Sequence, residues 1–435
     1  MAKRLTWYIL GALLLGLFTG WAINAAIDNG TPEAAARLKD IAGYFGIVTT
    51  LFLRLIKMII APLVFATLVA GVAHMGDTAA LGRVGIRSLA WFITASLLSL
   101  TLGLILVNML HPGVGLNLPL PDVSAASGVE TKAFNVKDFV THLVPASMIQ
   151  AMAENEILQI VIFSLFLGVA ITAVGEKARP LVRGVEALVE VILQVTNYVM
   201  RLAPLAVFAA VTAAIAEQGI GILVYYGRFI GSFYLGLMLL WVMLLAIAFL
   251  AVGQRVRHLI RYIRDPLILA FSTASSEAAY PRTLEALDRF GVPPRIASFV
   301  LPLGYSFNLD GSMMYMTFAT IFIAQAYGID LTLGQEITML LVLMITSKGI
   351  AGVPRASLVV IAATLSMFKI PEAGLLLILA VDHFLDMGRS ATNVVGNAVA
   401  AVLVAKWEGP MHSEGDPDVD ALPAPSHVPP PPPTV

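Results

Sequence analysis

Cysteine is absent from all 435 residues, charged side chains are scarce, and neither sign of charge is in surplus. Without a thiol the chain can form no disulfide, run no thiolate chemistry and build no Cys-based metal site. That absence leaves the compartment open. Acidic and basic residues make up only 13% and balance to a net charge of -1, so no broad basic surface is available to meet nucleic-acid phosphates. Apolar residues fill the space instead: 58% are hydrophobic and mean hydropathy is +0.85, which excludes an ordinary soluble protein. The composition is that of a polytopic membrane protein. Lys3 and Arg4 ahead of an apolar run imitate the start of a signal peptide. The run from Trp7 to Ile27 is long enough to span a bilayer and shows no convincing cleavage site, so it is expected to be the first transmembrane helix.

Further apolar spans cover 44–73, 86–110, 156–175, 184–216 and 219–252, and several are too long for an upright helix, which implies tilt or breaks. Arg54, Lys57, Asn197 and Arg201 inside them are expected to form inter-helix pairs or to snorkel toward an interface. Orientation follows from short basic segments: Lys3 and Arg4; Arg83 and Arg87; Lys177, Arg179 and Arg183; then Arg255, Arg257, Arg261 and Arg264. These share one side if six helices precede Asp265, which puts the N-terminus and a 254–264 loop in the cytoplasm. The segment 111–148 is then an external loop.

After Asp265 the pattern changes. Three hydrophobic pieces are interrupted: 266–280 by the Ser272 to Glu277 cluster, 296–327 by Asn308-Leu-Asp-Gly311, and 335–368 by Ser347 to Pro354. Backbone that leaves the helix at membrane depth is tolerated only where protein or a water-filled cavity satisfies it, and breaks in corresponding elements of two halves point to a transporter site. Two inverted units are expected, hairpin 266–293 with helix 296–327, and hairpin 335–370 with helix 373–405. The tail 409–435, with Pro429 to Pro433, reads as a disordered cytoplasmic extension.

Polar residues concentrate where they cost most. Asp382, Asp386, Arg389, Asn393 and Asn397 interrupt an apolar helix at i, i+4, i+7, i+11 and i+15. Such spacing puts them on a stripe about 80° wide. Three ionised side chains at the centre of a membrane helix cost roughly 8 to 10 kcal/mol, so the stripe should face inward as a ligand site. Arg389 can grip a carboxylate bidentately and Asp386 can receive an ammonium group, which together describe a ligand with an amine and a side-chain carboxylate. Alternatively, Asp386 merely neutralises Arg389 one turn away. Asn308 and Asp310 supply hard oxygen ligands at a helix break, suited to a cation or a bound proton. Ser275, Ser276 and the Gly349 to Gly352 region would place hydroxyl and N–H donors at half-helix ends.

Four ordered segments, Ser272 to Pro281, Tyr305 to Gly311, Ser347 to Pro354 and Asp382 to Lys406, resemble the signature regions of the dicarboxylate/amino acid:cation symporter family. The resemblance covers nearly the whole chain. It implies an all-α polytopic membrane protein with eight transmembrane helices, two re-entrant helical hairpins and inverted repeats. It further implies a homotrimer in a bacterial inner membrane with both termini cytoplasmic, working as an elevator. Residues 1–110 would supply helices 1–3, the third joining the transport domain; 111–253 the external loop and helices 4–6; and 254–405 the transport core. By position, Arg389 would bind the side-chain carboxylate and Asp386 the amine. Asn393, Ser275, Ser276 and Val353 would hold the α-carboxylate and amine, with Ser312 and Ser390 close by.

The same resemblance bears on coupling. Sodium-dependent members carry Asp where this chain has Asn397, an NMDGT motif where it has Asn308 to Ser312, and Tyr with Thr-Ser where it has Phe92, Ala95 and Ser96. Those departures speak against two sodium sites. Glu277 and Lys348 follow the pattern of proton-coupled glutamate/aspartate symporters, and the carboxylate could pair with Lys348 in one state and take a proton in another. Asp382, Asn308, Asp310 and Asn397 remain as a cation framework. The expected function is proton-coupled uptake of L-glutamate or L-aspartate, with no cofactor or metal. Sodium-coupled uptake and C4-dicarboxylate symport are the alternatives. An intramembrane aspartyl protease would also use paired aspartates, but it leaves Arg389 unexplained, and no ring of charge marks a channel.

Overall fold

The apolar runs fold as helices, and the described residues contain no strand. The computed structural model describes residues 2–28, 30–75, 78–115, 141, 143–219, 226–347, 356–379, 381–409 and 411. In chain order the helices are α1 (Ala2–Ile27), α2 (Pro32–Met75), α3 (Thr78–Leu110), α4 (Met148–Glu154), α5 (Ile157–Val174), α6 (Arg179–Met200), α7 (Ala203–Gln218) and α8 (Gly227–Val252). There follow α9 (Val256–Thr273), α10 (Tyr280–Phe290), α11 (Pro294–Phe307), α12 (Asp310–Ala326), α13 (Leu333–Thr346), α14 (Ala356–Met367), α15 (Leu375–Leu379) and α16 (Asp382–Glu408). By length and composition, five stretches among the described residues can cross a membrane: Trp7–Ile27, Pro32–Ala73, Ala80–Leu110, Ile157–Met200 and Gly227–Thr273.

Local chemistry sets several boundaries. Thr31 caps α2, its Oγ1 accepting from the Ala34 N–H at 3.3 Å, while Pro32 needs no donor at the first helical position. The helix therefore starts twelve residues before the apolar span 44–73 suggested and runs 44 residues. At ~1.5 Å per residue it is about 66 Å long, roughly twice a bilayer's hydrocarbon core. α13 opens on a capping box in which Thr332 and Gln335 satisfy each other's backbone N–H groups.

The helices pack in two groups. α7 lies against α1 and α2, and α2 also packs on α5 and α6. In the second group α16 is the hub, touching α3, α8, α9, α10, α11 and α12, and α2 joins the groups through α11. Every residue from Met387 to Ala405 in α16, and from Asp310 to Ala324 in α12, is buried. A helix apolar nearly all round is what such a position requires. Aromatic rings seal α8 onto α12, with Phe229 stacked on Phe322 at 3.9 Å and Phe233 edge-on to Tyr315 at 5.6 Å; such pairs add about 0.5 to 1.5 kcal/mol each beyond burial. At the far end of α16, Arg87 of α3 donates to the Trp407 carbonyl and pairs with Glu408 at 2.7 Å.

Several expected boundaries move. The span 184–216 is two helices, turning at Arg201 and Leu202 ahead of Ala203-Pro204. Residues 256–264, expected as loop, are the first turns of α9, so the first hairpin starts ten residues earlier than 266. Helix 373–405 is broken before Asp382: Val381 leaves helical geometry, and α16 begins at Asp382 itself. The expected break in 296–327 falls at Asn308 and Leu309, which separate α11 from α12. The tail 412–435 lies outside the described residues.

Candidate functional site

Arg389 sits at the middle of a buried charge cluster. Its Nη2 lies 3.1 Å from Asp382 Oδ1 and 2.9 Å from Asp386 Oδ1. The guanidinium carbon stands 4.0 Å from the centre of the Tyr315 ring, and the Tyr315 hydroxyl donates to Asp382 Oδ1 at 3.0 Å. A buried cation is tolerable only when paired and hydrogen-bonded, and the two carboxylates with the aromatic face supply that compensation. Asp386 thus does neutralise Arg389 from one turn away, and Asp382 reaches the same nitrogen from two turns away. The three side chains differ in access: Arg389 is 3% and Asp382 5% exposed, whereas Asp386 is 36% exposed. Arg389 Nε is buried with no hydrogen-bond partner among the described residues.

About one turn along α16, Asn393 completes the start of α12. The first N–H groups of a helix lack internal acceptors. Here Asn393 Oδ1 accepts from Gly311 N at 3.0 Å and Ser312 N at 3.4 Å, and its Nδ2 donates to Ser312 Oγ at 3.3 Å. The approach is close because Gly311 has no side chain; a Cβ there would stand 2.5 Å from the Arg389 carbonyl oxygen.

A third cluster forms at the helix break. Asp310 accepts from Ser99 Oγ at 3.1 Å and from Asn308 Nδ2 at 3.1 Å, and Asn308 Nδ2 also reaches Asn397 Oδ1 at 3.4 Å. Asp310 is the first residue of α12, where the helix dipole favours a carboxylate. Asn308 Oδ1 and Asn397 Nδ2 are buried without partners among the described residues. The five polar positions of α16 therefore serve separate clusters, with Asp382, Asp386 and Arg389 in one, Asn393 in another and Asn397 in the third. Ser390 is buried beside Arg389.

The first hairpin turns on Ala274, whose φ of 49° is rare for a residue with a side chain. Ser275 N closes that turn on Ala270 O at 3.1 Å, and Ser275 Oγ accepts from Ala278 N at 3.2 Å. Ser276 is buried. No hydrogen bond among the described residues joins either serine to the Arg389 cluster. Glu277, next in the tip, faces α2 and α11 across a small cavity. Lys348 and Val353 lie outside the described residues, and so does any pairing of Glu277 with Lys348.

The chain matches the model of the sodium:dicarboxylate symporter family over residues 5–407. The chain belongs to the sodium:dicarboxylate symporter family. It is 39% identical to the proton/sodium-glutamate symport protein of Bacillus caldotenax over 415 residues, 94% of this chain and 96% of that one. It is 40% identical to the proton/glutamate-aspartate symporter of Escherichia coli K12 over 412 residues, 93% of each. It is also 38% identical to the C4-dicarboxylate transport protein of Laribacter hongkongensis over 417 residues, 95% of this chain and 91% of that one. These relatives are thus named for different anions.

Sequence reading missed four contributors. Tyr315 reads as one more aromatic in an apolar helix, yet it holds both Asp382 and the Arg389 face. Ser99 carries no motif. Trp241 donates to Thr392 Oγ1 at 2.8 Å and Tyr234 to the Phe384 carbonyl at 2.6 Å, tying α8 to α16 around the cluster.

Proposed function

We propose that the protein is a secondary active symporter that takes up acidic amino acids, L-glutamate or L-aspartate, together with protons. The observation that carries this reading is the graded exposure of the Arg389 cluster. A ligand must enter from the side of Asp386, the one half-open member. Its ammonium group would meet Asp386, and its side-chain carboxylate would take the guanidinium edge whose Nε has no partner. The glutamate and aspartate names of the relatives support the same substrate class. A C4-dicarboxylate, as named for another relative, would bring a second carboxylate toward Asp386, and like charges there oppose binding.

For coupling, the third cluster favours a proton over sodium. Asn308 aims an N–H at Asp310, and Asn397 presents an N–H donor without a partner among the described residues; donors repel a metal cation, and Asn308 Oδ1, an unpartnered oxygen there, does not by itself make a coordination shell. Asp382, Asp310 and Glu277 are the carboxylates available to titrate. Sodium remains the second reading because one relative is named for both ions. The proposal includes the wider arrangement expected of the fold: eight membrane helices, two re-entrant hairpins, a homotrimer, cytoplasmic termini, and a transport unit of α3 and α9–α16 sliding against α1, α2 and α5–α7.

The test is uptake of labelled aspartate and glutamate by purified protein in proteoliposomes under imposed pH and sodium gradients. Accumulation driven by an inward proton gradient in sodium-free buffer is expected. Accumulation that needs sodium would replace protons as the coupling ion, and succinate uptake without amino acid uptake would replace the substrate.

A further inference from the structure

Glu277 faces a feature that the Arg389 cluster does not share. It borders a cavity of about 20 Å3 lined by Ile60 and Val64 of α2, Ile157 of α5, Tyr280 of α10, and Pro302, Tyr305 and Ser306 of α11. Three of these bring buried hydroxyls, Tyr280 at 1% exposure, Tyr305 at 9% and Ser306 at 2%, and that of Ser306 has no hydrogen-bond partner among the described residues. Tyr280 and Tyr305 each stand within hydrogen-bonding reach of a threonine, Thr67 and Thr283, whose oxygens can still accept. Thr67 donates to Leu63 O at 2.7 Å and Thr283 to Ala279 O at 2.9 Å.

A buried hydroxyl left unpaired costs about 1 to 3 kcal/mol, and the Ser306 hydroxyl beside a void that Glu277, Tyr280 and Tyr305 also line marks a polar site rather than a packing defect. A water needs a cavity of roughly 10 to 15 Å3 and two to four polar partners. This cavity provides the room, three hydroxyls and a carboxylate. We propose that it holds one water, and that Glu277, this water, Tyr280, Tyr305 and Ser306 together form the binding site for the coupled proton. The inference rests on the proton-coupled reading above and places the proton between the first hairpin and α2, away from the second hairpin's tip.

The chemistry balances simply. A proton arriving on the water passes to a Glu277 carboxylate oxygen, giving the neutral acid, and returns by the same route; the hydroxyls hold the water in line in both states. The charged and titratable groups around it are few. α2 contributes the exposed Lys57, whose charge acts on Glu277; the hairpin contributes Tyr280; α11 contributes Tyr305; and α5 presents only Ile157. No ion pair joins Lys57 to Glu277 among the described residues. Ionised Glu277 would face Ile60 and Val64 uncompensated, so movement along α2 favours the protonated form.

The full-length protein in proteoliposomes tests this with two readouts, the ratio of proton-gradient-driven uptake to counterflow, and the pH profile of uptake. Glu277→Gln is expected to lower the ratio by at least about tenfold, the driving value of one pH unit. Glu277→Asp, which keeps a titratable group, should retain driven uptake with a displaced profile, and it carries the test should the Gln variant fail to fold. Tyr305→Phe and Ser306→Ala should each displace the pH midpoint, which a purely structural role would leave in place. Wild-type uptake indifferent to a proton gradient would remove the reading beneath this site. Wild-type coupling that survives intact in Glu277→Gln, or pH midpoints unmoved in both hydroxyl variants, would overturn the site itself.

Discussion

The carboxylate of Asp310 stands in the space that a side chain at Gly396 would need, its Oδ2 being the nearest atom to any methyl group added there. Asp310 can bond Ser99 and Asn308 only because α16 presents no Cβ at that level. Gly396→Ala should therefore displace Asp310 and open the break between α11 and α12. Overpacking of this kind costs about 1 to 3 kcal/mol. A lower thermal midpoint for the purified protein, together with reduced uptake, is the expected outcome.

Arg389→Ala should abolish binding of acidic amino acids and also leave buried Asp382 unpaired, an error worth about 3 to 5 kcal/mol of stability. Arg389→Lys separates the two effects. It keeps the charge that Asp382 needs but loses the planar fork, so the protein should fold and bind weakly. Calorimetric titration with aspartate measures both variants, and full affinity in either would remove Arg389 from the site.

Asp386→Ala should cost the amino acids their ammonium partner while removing the charge that opposes a second carboxylate. Competition against labelled aspartate gives the readout. Succinate should gain relative to aspartate in the variant, and an unchanged ratio would show that Asp386 serves only Arg389.

Tyr315 carries two contacts that can be taken apart. Tyr315→Phe loses the hydrogen bond to Asp382 and keeps the ring beneath Arg389, and loss of one bond to a charged group should weaken binding about tenfold. Tyr315→Leu loses both and should weaken it further. Equal affinities for the two variants would mean that the ring face contributes nothing.

Asn397→Asp would put a second carboxylate beside Asp310. Two adjacent carboxylates do not both stay ionised without a cation between them. Sodium should therefore stimulate uptake in the variant more than in the wild type, as sodium titration of initial rates would register.

The legible and illegible parts of the molecule divide on physical grounds. The polar stripe from Asp382 to Asn397 was visible because charge inside an apolar helix is costly, and the break at Asn308 because Asn-Leu-Asp-Gly cannot continue one. The interruption before Asp382 was hidden, since Leu375 to Val381 is uniformly apolar and nothing in it opposes a helix. Tyr315 and Ser99 were hidden for another reason. Their importance comes from which helix each one faces, and α12 and α3 meet α16 only in the folded chain. Spacing alone also put Asn393 in the stripe with Arg389, whereas its amide caps α12.

The burial of α16 on every side sets the order in which the protein can be assembled. A segment with Asp382, Asp386 and Arg389 near its start and no lipid-facing surface from Met387 to Ala405 gains nothing by entering a bilayer alone. It needs a receptacle already built from α3, α8, α9, α11 and α12. All of these precede it in the chain, so synthesis from the N-terminus delivers the receptacle before its occupant. A version of this protein permuted to place α16 first would ask the membrane to accept its most charged helix with nothing yet there to receive it.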